Sequence, residues 1–229
     1  MKLDFPIAAV LFDMDGLMLD SERAVLRAWR QAAREHGHDF DDSVLHAMVG
    51  LHDRLCRAML LERFGPDLPI DAIFARTEAL YLGRIEAGIP LKPGLTELLD
   101  WLDAVRLPKA VATSSTRQRA QGNLRSSGLL PRFPVSVCGD EIEQPKPAPD
   151  IYLKAADLLG VAPAHCIVLE DSEPGVQAAL AAGMTPIQIP DIKPPSTALR
   201  ALGHRIVGSL GQAHSLLREA VWQRTCCLV

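Results

Sequence analysis

The chain has 229 residues, 48% hydrophobic and 23% charged, which is enough apolar material for a sizeable core and too little bias for wholesale disorder. Its 24 basic and 28 acidic residues give a net charge of −4 with no long block of either sign, which argues against a nucleic-acid surface and for a small ligand. No apolar run approaches the roughly 18 residues of a membrane span and no signal-peptide pattern opens the chain, so a soluble cytoplasmic protein, monomeric or weakly dimeric, is expected.

Ile7–Phe12 is a short, fully apolar run ending at Asp13, the pattern of a strand buried on both faces of a parallel sheet. The character then changes. Ala24, Val25, Ala28, Trp29, Ala32 and Ala33 recur at helical spacing behind Ser21, which reads as the helix cap. Trp29 lies on that apolar face and is expected to pack against neighbouring helices rather than stack on a ligand. Further helical patterns cover about Ser43–Arg63 and Asp71–Glu86, separated by Gly65-Pro66 and Pro69. After Pro93-Gly94 the spacing of Leu95, Leu98, Leu99 and Leu102 marks a helix, and Lys109–Thr113 reads as a strand. Alternation continues with a helix at Arg117–Ser127, a strand at Val135–Cys138, a helix at Pro149–Leu159, a strand at Cys166–Leu169, a helix at Pro174–Ala182 and a strand at Thr185–Ile189. Pro190–Ser196 reads as a surface loop.

Strands alternating with helices predict an α/β fold, a doubly wound Rossmann-like parallel sheet, because parallel neighbours need crossover connections. The all-helical stretch then reads as an insert, with core residues 1–18 and 91–229 and a helical cap at residues 19–90. Of the five cysteines, Cys138 and Cys166 sit in strand-like runs as inert buried thiols, and Cys56, Cys226 and Cys227 show no zinc or disulfide spacing. The terminal Cys226-Cys227-Leu228-Val229 fits a lipidation box only formally, since no polybasic segment precedes it.

Polar residues end the predicted strands: Asp13-Met14-Asp15-Gly16, Thr113-Ser114-Ser115 and Glu170-Asp171-Ser172, with Gln144-Pro145-Lys146-Pro147 between. In open parallel sheets ligands bind at the carboxyl ends of the strands, so these segments define one candidate site. Asp15-Gly16 alone would be an ordinary turn. Together with Glu170-Asp171 it crowds carboxylates at one edge, which is unfavourable unless a hard cation neutralises them. Mg²⁺ is the candidate cofactor, with Asp13, Asp15 through its carbonyl, and Asp171 as candidate ligands. Lys146 adds positive charge and Thr113 and Ser114 add hydroxyls, the groups needed for an anionic phosphate to meet a carboxylate.

Four segments resemble the haloacid dehalogenase superfamily, within the branch of phosphoglycolate phosphatase-like enzymes and β-phosphoglucomutase: Phe12-Asp13-Met14-Asp15-Gly16-Leu17 with Asp20-Ser21-Glu22, Val111-Ala112-Thr113-Ser114-Ser115, Lys146-Pro147-Ala148-Pro149-Asp150, and Val168-Leu169-Glu170-Asp171-Ser172 with Pro174-Gly175. The resemblance implies that Asp13 attacks phosphorus to form an aspartyl-phosphate and that Asp15 is the general acid and base. It also implies that Thr113, Ser114 and Lys146 hold phosphate oxygens and that Glu170 acts on the metal through water. Asp15 disfavours carbon–halogen cleavage, since the superfamily's dehalogenases lack an aspartate two positions after the nucleophile.

The expected activity is thus a Mg²⁺-dependent phosphatase, acting on a small phosphorylated metabolite beneath a closing cap. His52, Arg54, Ser115 and Arg117 are candidate substrate contacts, with Arg57 nearby. Two alternatives stand: a phosphosugar mutase and a binding protein that has lost catalysis. Mutases of this branch carry a histidine before an Arg-Ala-Trp run, whereas here Val25 precedes Arg27-Ala28-Trp29, and none of the chemical residues is missing.

Overall fold

A computed structural model of the protein describes residues 5–49 and 53–225. Six parallel strands form one sheet in the order β3-β2-β1-β4-β5-β6: β1 (Ala9–Phe12), β2 (Lys109–Thr113), β3 (Val135–Cys138), β4 (Cys166–Glu170), β5 (Thr185–Gln188) and β6 (Arg205–Ile206). The apolar run of β1 is buried throughout because that strand lies between β2 and β4 with helices over both faces. Successive side chains alternate between the faces. Val10 and Phe12 join the layer built from α5 (Leu95–Ala104) and α10 (Leu210–Thr225), whereas Ala9 and Leu11 join that of α7 (Asp150–Leu159) and α8 (Glu173–Ala181).

Between β1 and α5 come α1 (Ser21–Glu35), α2 (Asp42–Met48), α3 (Asp53–Phe64) and α4 (Ile70–Ala87), with no strand longer than an isolated bridge among the described residues. They enclose a separate apolar cluster that includes Trp29, Phe40, Leu60 and Ile73. Trp29 packs as expected, its ring centroid 4.6 Å from that of Phe74 in an edge-on contact and 6.4 Å from Phe40. The single helix expected over Ser43–Arg63 is two, because Val49 leaves the helical region (φ −56°, ψ 124°). Two linkers connect the helical stretch to the sheet side by side: Leu19 bridges Leu91 antiparallel, Asp20 N–H donates to Pro90 O at 2.9 Å, and Lys92 N–H donates to Met18 O at 2.8 Å.

Ser21 does not cap α1. It is the first helical residue, and its Oγ accepts the N–H of Gly16 at 3.2 Å, tying the helix to the turn after β1. The 190–196 segment is anchored rather than a free surface loop: Asp191, with a side chain 5% exposed, pairs with Lys92 and Arg23, each at 2.6 Å. The helix expected at Arg117–Ser127 is α6 (Arg117–Ser126), ending one residue early, and the short α9 (Thr197–Arg200), β6 and α10 come in addition to the elements expected from the sequence. Among the described residues no helix is long and apolar enough to cross a membrane.

Candidate active site

Parallel pairing brings the ends of β1, β2 and β4 to one edge, and the loop before α7 crosses the same edge. Asp13 follows β1 directly, Thr113 ends β2 and Glu170 ends β4, so side chains more than 100 residues apart in sequence meet there. Lys146, its side chain 5% exposed, donates to Asp13 Oδ1 at 2.6 Å, Glu170 Oε1 at 2.8 Å and Ala112 O at 3.1 Å, which uses all three of its protons. Burial opposes charge on this ammonium, but Asp13 and Glu170 override it and hold its pKa well above the ordinary lysine value.

The carboxyl groups respond in the opposite direction. Burial pushes Asp13 up to about 7 against the pull of Lys146, with Glu170 adding to the rise. Burial, then Glu170 and Asp13, push Asp171 well above its usual range. Oxygens of Asp13, Glu170 and Asp171 lie within 4.8 Å of one another, with one ammonium among them, and Asp171's carboxylate has no hydrogen-bond donor among the described residues. This hard-oxygen set with excess negative charge fits a divalent cation.

Glu170 stands apart within that set. Lys146 and Tyr152 Oη (3.0 Å) donate to Oε1, and Ser172 N–H (2.7 Å) and Oγ (2.9 Å) donate to Oε2. Expected as a ligand through water, it is saturated by protein donors and is better placed to hold Lys146, leaving Asp13 and Asp171 as the carboxylates with spare lone pairs. Two glycines make room for this packing. A Cβ at Gly175 would lie 1.6 Å from Glu170 Oε1, and one at Gly16, where φ is +82°, would lie 2.4 Å from Asp171 Oδ2.

Asp15 takes a different direction from Asp13. Its Oδ2 accepts Ser115 Oγ at 2.8 Å and Thr113 Oγ1 at 3.4 Å, and it lines a cavity of about 920 Å³ between α4 and α6, away from the converging carboxylates. Thr113 Oγ1 in turn accepts the N–H of Ser115 at 3.1 Å. Ser114 and Ser115 line the same cavity.

Among the described residues, Arg117, Arg57 and Arg54 do not line this cavity. Arg117 is committed elsewhere: its guanidinium donates to both oxygens of Glu141, to Ser136 Oγ and to Ser136 O, clamping the start of α6 to β3, so it is a structural tie rather than a substrate contact. Arg57 pairs with Asp71 and lies 4.0 Å over the Phe74 ring. Arg54 is exposed near the start of α3 and does not line the cavity, and His52 lies outside the described residues. In their place the cavity presents Arg119, whose guanidinium lies 4.1 Å over the Tyr81 ring, and Glu78. Tyr152 and Arg119 lie within helical stretches and belong to none of the strand-end segments, and only the neighbours supplied by other elements reveal their place in the site.

Residues 7–183 match the family described as haloacid dehalogenase-like hydrolase. Fructose-1-phosphate phosphatase YqaB of Escherichia coli is 34% identical over 183 residues, covering 80% of this chain and 96% of that protein. A phosphorylated carbohydrates phosphatase of Thermotoga maritima is 31% identical over 176 residues, covering 77% and 82%. The crystal structure of a HAD family hydrolase of Deinococcus radiodurans with bound phosphate and sodium superposes with a TM-score of 0.79 at 30% identity, covering 94% of this chain and 96% of that one.

Proposed function

Because the chain belongs to the haloacid dehalogenase-like hydrolases, we propose that it is a Mg²⁺-dependent phosphatase that hydrolyses a small phosphorylated metabolite through an aspartyl-phosphate on Asp13. The observation that carries this reading is the divergence of two carboxylates from one strand end: Asp13 beside Lys146 and Asp171, and Asp15 beside Ser115 at the cavity. In this reading one carboxylate attacks phosphorus and the other serves the oxygen that leaves.

Asp13 forms the new oxygen–phosphorus bond as the bond to the substrate's ester oxygen breaks, and Asp15 gives that oxygen its proton. Asp15 then takes a proton from water, which attacks the phospho-enzyme, releases inorganic phosphate and regenerates Asp13. Lys146 opposes the protonation that burial favours at Asp13 and draws negative charge from the transferring group, while Thr113 and Ser114 bind its oxygens. Asp13, the Asp15 carbonyl and Asp171 would hold Mg²⁺, which when bound would supply the further positive charge that lets two anions meet. Glu170 fixes Lys146.

Residues 19–90 act as a cap over this edge, moving about the paired linkers at Leu17–Asp20 and Gly88–Pro93. Nothing at the first cap helix favours a mutase: Val25 packs partly buried against the apolar clusters and offers no titratable group. The test is phosphate release from small esters with Mg²⁺, with and without chelator, by wild type and Asp13→Asn. Release should depend on the metal and vanish in a folded Asp13→Asn protein. Substantial metal-dependent turnover by that variant refutes the nucleophile.

A further inference from the structure

Among the described residues no donor holds the Asp171 carboxylate, so its direction is set through its backbone. Asp171 is the first residue past β4, where the ladder to β5 ends: Glu170 lies opposite Gln188, and Ile189 N–H donates to Glu170 O at 2.7 Å. The next carbonyl, that of Asp171, is met by a side chain instead of a strand, Gln188 Nε2 donating to it at 3.1 Å. The N–H of the same peptide group belongs to Ser172 and donates to Glu170 Oε2 at 2.7 Å. Both ends of the Asp171–Ser172 peptide are therefore pinned by buried side chains, Glu170 at 0% and Gln188 at 1% exposed. A planar peptide group held at both ends cannot rotate, which restrains the backbone that aims the carboxylate.

The Gln188 amide could lie either way round, and its partners decide which. Asp171 O is an acceptor only, so the amide NH₂ faces it and Oε1 faces His204 Nε2, 2.9 Å away. That ring nitrogen then carries the proton. His204 Nδ1 is left as the acceptor of a neutral ring, buried and without a partner among the described residues. Burial holds His204 below the ordinary histidine value, in keeping with a neutral ring. A flipped Gln188 would set NH₂ against N–H and oxygen against oxygen, losing both bonds.

On the reading of Asp171 as a cation ligand, we propose that Gln188 is its positioning residue, held in the working orientation by His204, and that the pair sets the site's affinity for a divalent cation. A carboxylate without protein donors keeps its charge and lone pairs for the cation, but it must then be ordered by some other group or lose that order's worth of affinity on binding. Gln188 supplies the order from β5, a strand outside the candidate ligand set. Groups that orient a metal's ligands in this way change metal affinity about 10–100-fold when removed.

Mn²⁺, whose free and bound forms are told apart by electron paramagnetic resonance, is the probe for wild type, Gln188→Met, His204→Phe and His204→Gln. Gln188→Met keeps the length of the side chain and loses both bonds, His204→Phe keeps the ring and loses the donor, and His204→Gln returns an N–H near the Nε2 position. The first two should bind Mn²⁺ about tenfold or more weakly, and His204→Gln close to wild type. In phosphate release the same order should appear in the Mg²⁺ concentration for half-activation rather than in kcat at saturating metal. Metal-free urea midpoints separate this from damage to the fold, since a residue that only stabilises the protein leaves the Mn²⁺ affinity of the folded variant unchanged. Unmoved Mn²⁺ affinity in Gln188→Met overturns the inference, and a loss in His204→Gln equal to that in His204→Phe overturns the part given to His204. Should Gln188→Met not fold, the two variants at the half-buried His204 decide the question, unmoved affinity in His204→Phe refuting it. A wild type that binds no Mn²⁺ refutes the cation site itself, whereas wild type and variants that bind it equally refute the positioning role alone.

Discussion

Replacing Gly175 by alanine would place a methyl group 1.6 Å from Glu170 Oε1, where no carbon can stand. Glu170 has no room to yield freely, since it is 0% exposed and fixed by Lys146, Tyr152 and both donors of Ser172. To clear the methyl it must give up at least the two bonds to Oε1, and hydrogen bonds to a buried charge contribute about 1.5–3 kcal/mol each, so Gly175→Ala should cost about 3–6 kcal/mol. That is a large part of the roughly 5–15 kcal/mol that holds a domain folded. The same substitution made in a Glu170→Ala protein meets no carboxylate. There it should be neutral or stabilise α8 by about 0.5–1 kcal/mol, because alanine outperforms glycine within a helix. Urea unfolding of wild type, both single variants and the double variant, all metal-free, measures the coupling directly. Effects additive within about 0.5 kcal/mol would show that Gly175 is not there to admit Glu170.

Asp15→Asn should leave the converging carboxylates intact and remove proton transfer, lowering turnover of an alkyl phosphate about 10²–10⁴-fold and an activated aryl phosphate less in its first step. Equal, unchanged metal-saturated rates on both esters would rule out its acid–base role. Glu22 provides a pH test: burial, then Asp191, raises its pKa from 4.5 to about 7 against the pull of Lys92. The folded state therefore binds more protons than the unfolded one between those values, and stability falls as pH rises from about 4.5 through about 7. Glu22→Gln should remove that share of the slope and gain at most about 2–3 kcal/mol relative to wild type at pH 8 in the presence of chelator. Urea midpoints that run parallel for the two proteins from pH 5 to pH 8 would contradict it.

Local pattern carried much of the fold. The runs Lys109–Thr113 and Val135–Cys138 are strands at their expected limits, since a short, largely apolar segment bounded by turn residues is sufficient to mark a strand. It carried less at the ends of elements and late in the chain: β6 has two residues and no period to detect, and the break after α2 depends on one residue's backbone angles. Asp13, Asp15, Thr113 and Asp171 were legible because each ends or follows a strand, where open parallel sheets put their sites, and Lys146 because it lies in the polar segment before the next helix. Their division of labour was not. Arg117 and Arg119 are both arginines in the first turn of α6, yet one is spoken for by Glu141 and Ser136 while the other lines the cavity beside Asp15. Glu170 and Asp171 are adjacent carboxylates, yet Tyr152, Ser172 and Lys146 saturate the first and leave the second available. Sequence alone determined the alternation of strands and helices up to β5 and which ionisable groups reach the sheet's edge, because both follow from local periodicity. Only the tertiary structure decided which of those groups are satisfied by protein and which are open to a ligand, because hydrogen-bond partners and burial come from segments far apart in the chain.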